Sequence, residues 1–199
     1  MPDETPASPP ATATHATELR VLIPAEAIAR RVDELANEIA AVRMERPILV
    51  PVLTGSFVFA ADLMRALHRV GIAPEVDFLS LSSYRKSTSP AAKVDILRDL
   101  EISVRGRDVL LVDDILDTGR TLAFAKDLIA ARGARRLFTC VLLDKPVRRA
   151  VQLKADFKAF DCPPAFVVGY GMDMAYRYRE LPYVGQVLTG RDTAGGADG

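Results

Sequence analysis

Apolar residues recur along this chain in two periods, and the switching between them predicts the fold. Ile28, Val32, Leu35, Ile39 and Val42 are spaced by 4, 3, 4 and 3 residues. That is one face of an amphipathic helix, with Pro24 in its opening turn. Residues 48–53 form a continuous apolar run and read as a buried strand, closed by the turn Thr54-Gly55-Ser56. Phe57, Ala60, Ala61, Met64 and Leu67 restore the helical spacing, and Gly71 closes that helix. Residues 76–81 read as a further strand, and the polar stretch from Ser83 to about Lys93 as a long functional loop. Residues 109–112 are a buried strand that runs into two acids, Asp113 and Asp114, and then a turn with Asp117, Thr118 and Gly119. Leu122, Ala125, Leu128 and Ile129 give a helix that ends near Gly133. Residues 137–143, 166–168 and 184–188 read as strands. Strands alternating with helices predict an α/β fold with a mostly parallel sheet covered on both faces. Ligands of such sheets bind beyond the carboxyl ends of the strands.

Composition narrows the picture. A chain of 199 residues with 49% hydrophobic and 26% charged residues fits one globular domain. The 26 Lys and Arg balance the 26 Asp and Glu, and zero net charge speaks against a general nucleic-acid binder. Residues 1–17 are rich in Pro, Thr and Ala. They lack the basic start and apolar stretch of a secretory signal and read as a disordered tail, as do residues 191–199. The folded domain is expected over residues 18–190. No apolar run approaches the roughly 20 residues of a membrane span. Cys140 and Cys162 show no metal-ligand spacing and no disulfide framework, which fits a reducing, cytoplasmic setting. His15 and His68 have no partner at ligand spacing either.

The chemistry concentrates in residues 109–122. A turn that opens a helix offers free N–H groups and the positive end of the helix dipole, a site for a phosphate. Thr118 and Thr121 add hydroxyl donors, and Gly119 lets the backbone come close. Asp113 and Asp114 are acceptors beside that pocket, suited to vicinal sugar hydroxyls. The motif thus reads as a sugar-phosphate cradle. The bland alternative is a plain strand–turn–helix with Asp117 as N-cap. The chain has no Gly-x-x-x-x-Gly-Lys loop, and Gly169-Tyr170-Gly171 lacks the third glycine of a dinucleotide fingerprint.

This segment resembles the phosphoribosyl-diphosphate motif of type I phosphoribosyltransferases. Further stretches are similar to the hypoxanthine-guanine branch of that family: residues 52–57, Ser83-Tyr84, 142–146, 166–173 and 178–182, in the family's order. The resemblance implies the family fold, a mostly parallel sheet flanked by helices with a small hood built from the chain ends. It implies transfer of the 5-phosphoribosyl group from phosphoribosyl diphosphate to N9 of hypoxanthine or guanine, giving IMP or GMP and pyrophosphate, with Mg²⁺ as cofactor. Homodimers or homotetramers are the family's usual assemblies. By similarity, Asp117, Thr118, Gly119, Arg120 and Thr121 cradle the 5′-phosphate, and Asp113 and Asp114 face the ribose, directly or through the metal. Asp117 also takes the proton of purine N7 as general base. Lys145 donates to the 6-oxo group, Phe166 stacks on the purine, and the Val167 main chain bonds its edge. Asp173 helps hold Mg²⁺, while Thr54, Gly55, Ser83, Tyr84 and Arg179 serve the pyrophosphate. Taken singly, Lys145, Asp173 and Arg179 would read as solvated surface charges, and Phe166 and Val167 as core.

Three departures from the pattern stand out. Asp113 replaces the family's usual Glu, and Thr54 replaces a common Lys or Arg, so a weaker grip on pyrophosphate is expected. The loop after Ser83-Tyr84 also continues differently from the common pattern. Competing functions are transfer to adenine, xanthine or a pyrimidine, of which Lys145 with Phe166 and Val167 argues against adenine, and a nucleic-acid-binding regulator that keeps the fold.

Overall fold

The computed structural model describes residues 18–83 and 94–188. The expected tails at 1–17 and 191–199, Tyr84 and nearly all of the expected loop lie outside the described residues. In chain order the elements are β1 (Leu19–Ile23), α1 (Ala25–Ala41), β2 (Ile48–Leu53), α2 (Phe57–Arg69), β3 (Glu75–Val76), β4 (Leu79–Ser83), β5 (Val94–Arg98) and β6 (Asp108–Leu116). Then come α3 (Arg120–Ala131), β7 (Arg136–Asp144), a short 3-10 turn (Pro146–Arg148), β8 (Phe157–Asp161), β9 (Val167–Val168) and β10 (Val184–Val187).

The main sheet runs β5-β4-β2-β6-β7-β8, with β3 also paired to β2. Every pairing in it is parallel except that of β5 with β4. Such a sheet is covered on both faces, and the alternation of side chains along a strand divides it between two cores. On β6, Leu110 and Val112 face the core made with α1 and α2, while Val109 and Leu111 face the one made with α3. The periodic residues Ile28, Val32, Leu35 and Ile39 are all buried, as the spacing predicts. A second, antiparallel sheet of order β1-β10-β9 joins the two ends of the described chain. This is the hood that the resemblance implied.

Several expectations need correction. The single strand expected over 76–81 is broken into β3 and β4. Proline supplies the reason. Asp77 N donates to Leu49 O at 3.1 Å, and the next rung of a parallel ladder would need an N–H on residue 51, which is Pro51. The chain leaves the ladder there and rejoins it with Leu79 beside Val52. The Asp77 carboxylate secures the break by accepting from the N–H groups of Phe78, Glu101 and Ile102. The central strand is longer than its apolar run: β6 continues through Asp113 and Asp114 to Leu116. The strand expected over 166–168 holds only Val167 and Val168. β5 and β8 are edge strands without a continuous apolar run, and periodicity alone does not reveal them.

Candidate active site

The carboxyl end of β6 carries the site. After Leu116 the chain turns through Asp117 and Thr118 to Gly119, which caps α3 with a left-handed backbone at φ 79°. Glycine suits this conformation, and a Cβ here would also lie 2.8 Å from Val151 Cγ2. The cap is therefore Gly119 and not Asp117, and at the helix start Thr118 Oγ1 accepts a long bond from Arg120 N at 3.4 Å. The N–H groups of α3 beside it are left for a ligand. A cavity of about 590 Å³ opens over them, lined by Thr54, Gly55, Asp113, Asp114, Arg148 and every residue from 115 to 122. Asp117 Oδ1 is buried there without a hydrogen-bond partner among the described residues, and its Oδ2 lies 3.5 Å from Arg148 Nη1. An unsatisfied buried carboxylate oxygen is costly, and it marks Asp117 as an acceptor awaiting a donor.

Asp113 and Asp114 are successive residues near the end of β6 and share one electrostatic fate. Burial, the Asp114 charge and a hydrogen bond between the two carboxyls push Asp113 well above the ordinary carboxylate range. Burial also raises Asp114, against hydrogen bonds from Asp113 and Ile115 N–H and the charge of Arg179. The turn after β2 fits tightly against this pair, since a Cβ on Gly55 would lie 1.7 Å from Asp114 Oδ2. The Leu53–Thr54 peptide that enters the turn is cis. Thr54 itself is exposed, and Ser56 Oγ donates to Val52 O at 2.6 Å.

Of the remaining predicted residues, Arg120 and Thr121 line this cavity, while Lys145, Phe166, Val167, Asp173 and Arg179 lie outside its lining. Lys145 follows β7, and its Nζ donates to Ala165 O at 2.6 Å, which sets the ammonium beside Phe166. Phe166 is 54% exposed, so its ring faces outward rather than into a core. Val167 is buried by its side chain, but among the described residues β9 is an edge strand, and one side of its backbone has no strand partner there. Asp173 and Arg179 are bonded to each other at 2.8 Å, and Arg179 Nη1 also donates to Gly171 O. Gly171 presses on the turn after β2, where a Cβ would come within 2.3 Å of Gly55 O. Arg179 thereby sits near the turn after β2, although it lines a different, largely apolar cavity between α1, α2 and residues 179–182. Arg120 is exposed at the first position of α3, and Thr121 follows it. Ser83 closes β4 opposite Val94, near the cavity wall formed by Leu81 and Val94.

The phosphoribosyl transferase domain matches residues 22–175. The chain belongs to this family. It is 43% identical over 173 residues to a hypoxanthine phosphoribosyltransferase of Escherichia coli (strain K12), a match that takes in 85% of this chain and 96% of that protein. It is equally similar, 43% over 167 residues, to a hypoxanthine-guanine phosphoribosyltransferase of Bacillus subtilis (strain 168), covering 83% of this chain and 91% of the relative. The crystal structure of a hypoxanthine-guanine phosphoribosyltransferase from Bacillus anthracis superposes with a TM-score of 0.80 at 41% identity, over 86% of this chain and 100% of that one. The fold is thus the type I phosphoribosyltransferase fold.

Within this phosphoribosyltransferase, sequence reasoning missed two residues that the structure brings to the cradle. Arg148 lines the cavity, and Arg149 grips the backbone of the loop beneath it. Their only signal was two adjacent arginines soon after Lys145. No helix among the described residues is long and apolar enough to cross a membrane.

Proposed function

We propose that this chain transfers the 5-phosphoribosyl group of phosphoribosyl diphosphate to N9 of hypoxanthine or guanine, forming IMP or GMP and pyrophosphate. The observation that carries this reading is one juxtaposition. An open helix N-terminus shares a cavity with two buried acids, and the Asp117 that borders both holds an unpartnered oxygen. The N–H groups of residues 118–121, with the Thr118 and Thr121 hydroxyls and the exposed Arg120, receive the 5′-phosphate. Asp113 and Asp114 meet the ribose hydroxyls. Thr54 and Gly55 offer the turn for the diphosphate, with Arg179 near it; Ser83 and Tyr84 are proposed as further contacts to the diphosphate.

The residues suit a divalent cation. Two adjacent buried carboxyls, each pushed up by burial, gain from a positive charge brought against them. Among the described residues no group of three or more His, Cys, Asp or Glu is gathered to enclose a metal. An open arrangement of one or two carboxylates completed by water and phosphate is the kind Mg²⁺ takes. Asp113 and Asp114 would hold it on the ribose side and Asp173 on the diphosphate side. When bound, Mg²⁺ neutralises charge on the departing pyrophosphate.

The chain's own residues do the rest. Phe166 and the free edge of Val167 hold the purine plane. Lys145 has three donors and spends one on Ala165 O, leaving others for the 6-oxo oxygen. It offers no acceptor to the amino group of adenine. Asp117 accepts the N7 proton as the bond to N9 forms. The reaction needs little covalent help from the protein, only position and charge. A cytoplasmic place of work is supported by two free cysteines, and a homodimer or homotetramer is the assembly proposed.

The test is incubation with phosphoribosyl diphosphate, Mg²⁺ and each base in turn, following pyrophosphate release. Hypoxanthine and guanine should be incorporated and adenine not. Incorporation of no base, with retention of RNA or DNA instead, would replace this reading with the regulatory one. Replacing Asp117 by Asn should lower kcat about 100-fold or more while GMP affinity changes little; unchanged turnover removes the proton-accepting role.

A further inference from the structure

A hydrogen-bonded peptide plane carries its C=O and the following N–H on opposite sides. The direction of the N–H groups at residues 117–119 is therefore decided by what holds the carbonyls of Leu116, Asp117 and Thr118. All three are held from one side, by the segment that follows β7. Lys145 N donates to Leu116 O at 3.0 Å, and Ala150 N donates to Thr118 O at 2.9 Å. Between them Arg149 reaches under the loop. Its Nε donates to Asp117 O at 2.9 Å and its Nη2 to Leu116 O at 2.9 Å. The same guanidinium is fixed from behind by Leu153 O and the Asp144 carboxylate. The 3-10 turn at Pro146–Arg148 swings the chain so that this reach is possible.

From this geometry we infer that Arg149 is a positioning residue for phosphoribosyl transfer, an inference that rests on the function proposed above. By pinning the Leu116 and Asp117 carbonyls it turns the Asp117 and Thr118 N–H groups toward the cavity and sets the height of the Asp117 carboxylate. It does not bind the substrate itself. Its Nε, Nη1 and Nη2 are all engaged with protein oxygens, and it is Arg148, not Arg149, that lines the cavity. Because Lys145 belongs to the same stitched segment, Arg149 also sets the spacing between the 5′-phosphate and the 6-oxo group. The planar fork of arginine is needed, since a lysine ammonium at the end of a longer, flexible stem cannot hold two successive carbonyls and a carboxylate in one plane. The Arg149 Cδ also lies against Gly119, within 3.3 Å of where a Cβ would stand.

The experiment compares wild type with Arg149→Lys and Arg149→Met. Steady-state kinetics give KM for phosphoribosyl diphosphate and for hypoxanthine separately. Calorimetric titration with ribose 5-phosphate reports the cradle without any chemistry. In both variants KM for phosphoribosyl diphosphate and Kd for ribose 5-phosphate should rise about tenfold or more, with KM for hypoxanthine moving less. Loss of folded protein alone would lower the active fraction and leave both constants at wild-type values, and that result overturns the inference. If Arg149→Met does not fold, Arg149→Lys decides by the same two constants. If wild type binds ribose 5-phosphate but transfers to no purine, the proposed function fails, and the titration still judges the role of Arg149.

Discussion

At the residue scale, the site depends on positions where a side chain is absent as much as on those where one is present. Gly55 has no left-handed backbone to explain it, since its φ is not among the positive values of the chain. Its reason is contact: a Cβ would stand 1.7 Å from Asp114 Oδ2. Gly55→Ala must therefore displace one of the two buried acids while leaving the hydrophobic cores untouched. We expect thermal stability close to wild type but kcat/KM for phosphoribosyl diphosphate lower by roughly tenfold or more, as for a displaced group at a reacting centre; wild-type kinetics would show that Asp114 moves freely. Strain gathers in the same neighbourhood. Tyr170, Ala175, Tyr176 and Tyr178 all have positive φ, which is unfavourable for side chains of this size. The loop is held in that shape by bonds such as Tyr170 N to Leu181 O, Arg179 Nη1 to Gly171 O and Tyr176 N to the Asp173 carboxylate.

At the scale of elements, the two ends of the parallel strands are built from opposite chemistry. The carboxyl ends carry acids whose charge burial disfavours, while the amino ends are locked by ion pairs. Asp108, first residue of β6 and fully buried, accepts from Arg135, from Arg136 and from the N–H of Glu45. Burial alone would push its carboxyl up, but the bonds from Arg136, Arg135 and Glu45 outweigh that and hold it at about 2. A carboxyl held below its unfolded value stabilises the fold above that value and ceases to as pH falls through the folded one. The contribution, about 2 kcal/mol at ~1.4 kcal/mol per unit, should vanish between about pH 4 and about pH 2. Asp108→Asn should cost about 3 kcal/mol in urea unfolding at neutral pH, because it strands two arginines, and much less near pH 2. A cost independent of pH would show that the carboxylate charge is not what holds these strands.

At the scale of the whole molecule, the active site lies between two bodies. The proposed phosphate cradle belongs to the main sheet, and Phe166 and Val167, proposed to hold the purine, to the hood. One bond between the hood side and the main body comes from the Tyr170 hydroxyl, which donates to Asp62 on α2 at 2.8 Å. A nucleotide that touches both bodies should tie them together, whereas a sugar phosphate touches one. GMP at 100 times its Kd should stabilise the protein by about 2.7 kcal/mol in thermal unfolding. Phe166→Ala should weaken GMP roughly tenfold, as loss of one stacking contact does, and leave ribose 5-phosphate binding unchanged. Equal weakening of both ligands would place Phe166 outside the purine platform.

Much of this was readable in the chain itself. Periodic burial determined α1, α2, α3 and the buried strands β2, β6 and β7, because an apolar residue on a regular element has only one way to leave water. Local spacing likewise marked the turn that opens α3, since free N–H groups at a helix start follow from that turn alone, whereas their direction at 117–119 depends on the segment after β7. The tertiary structure decided what depends on partners distant in sequence. Pro51 split the strand after Val76 through a missing rung on its neighbour, and edge strands β5 and β8 formed by pairing rather than by an apolar run. Arg149 gained its place only when β7 and β6 came side by side, because a side chain that holds another segment's backbone leaves no periodic mark in its own.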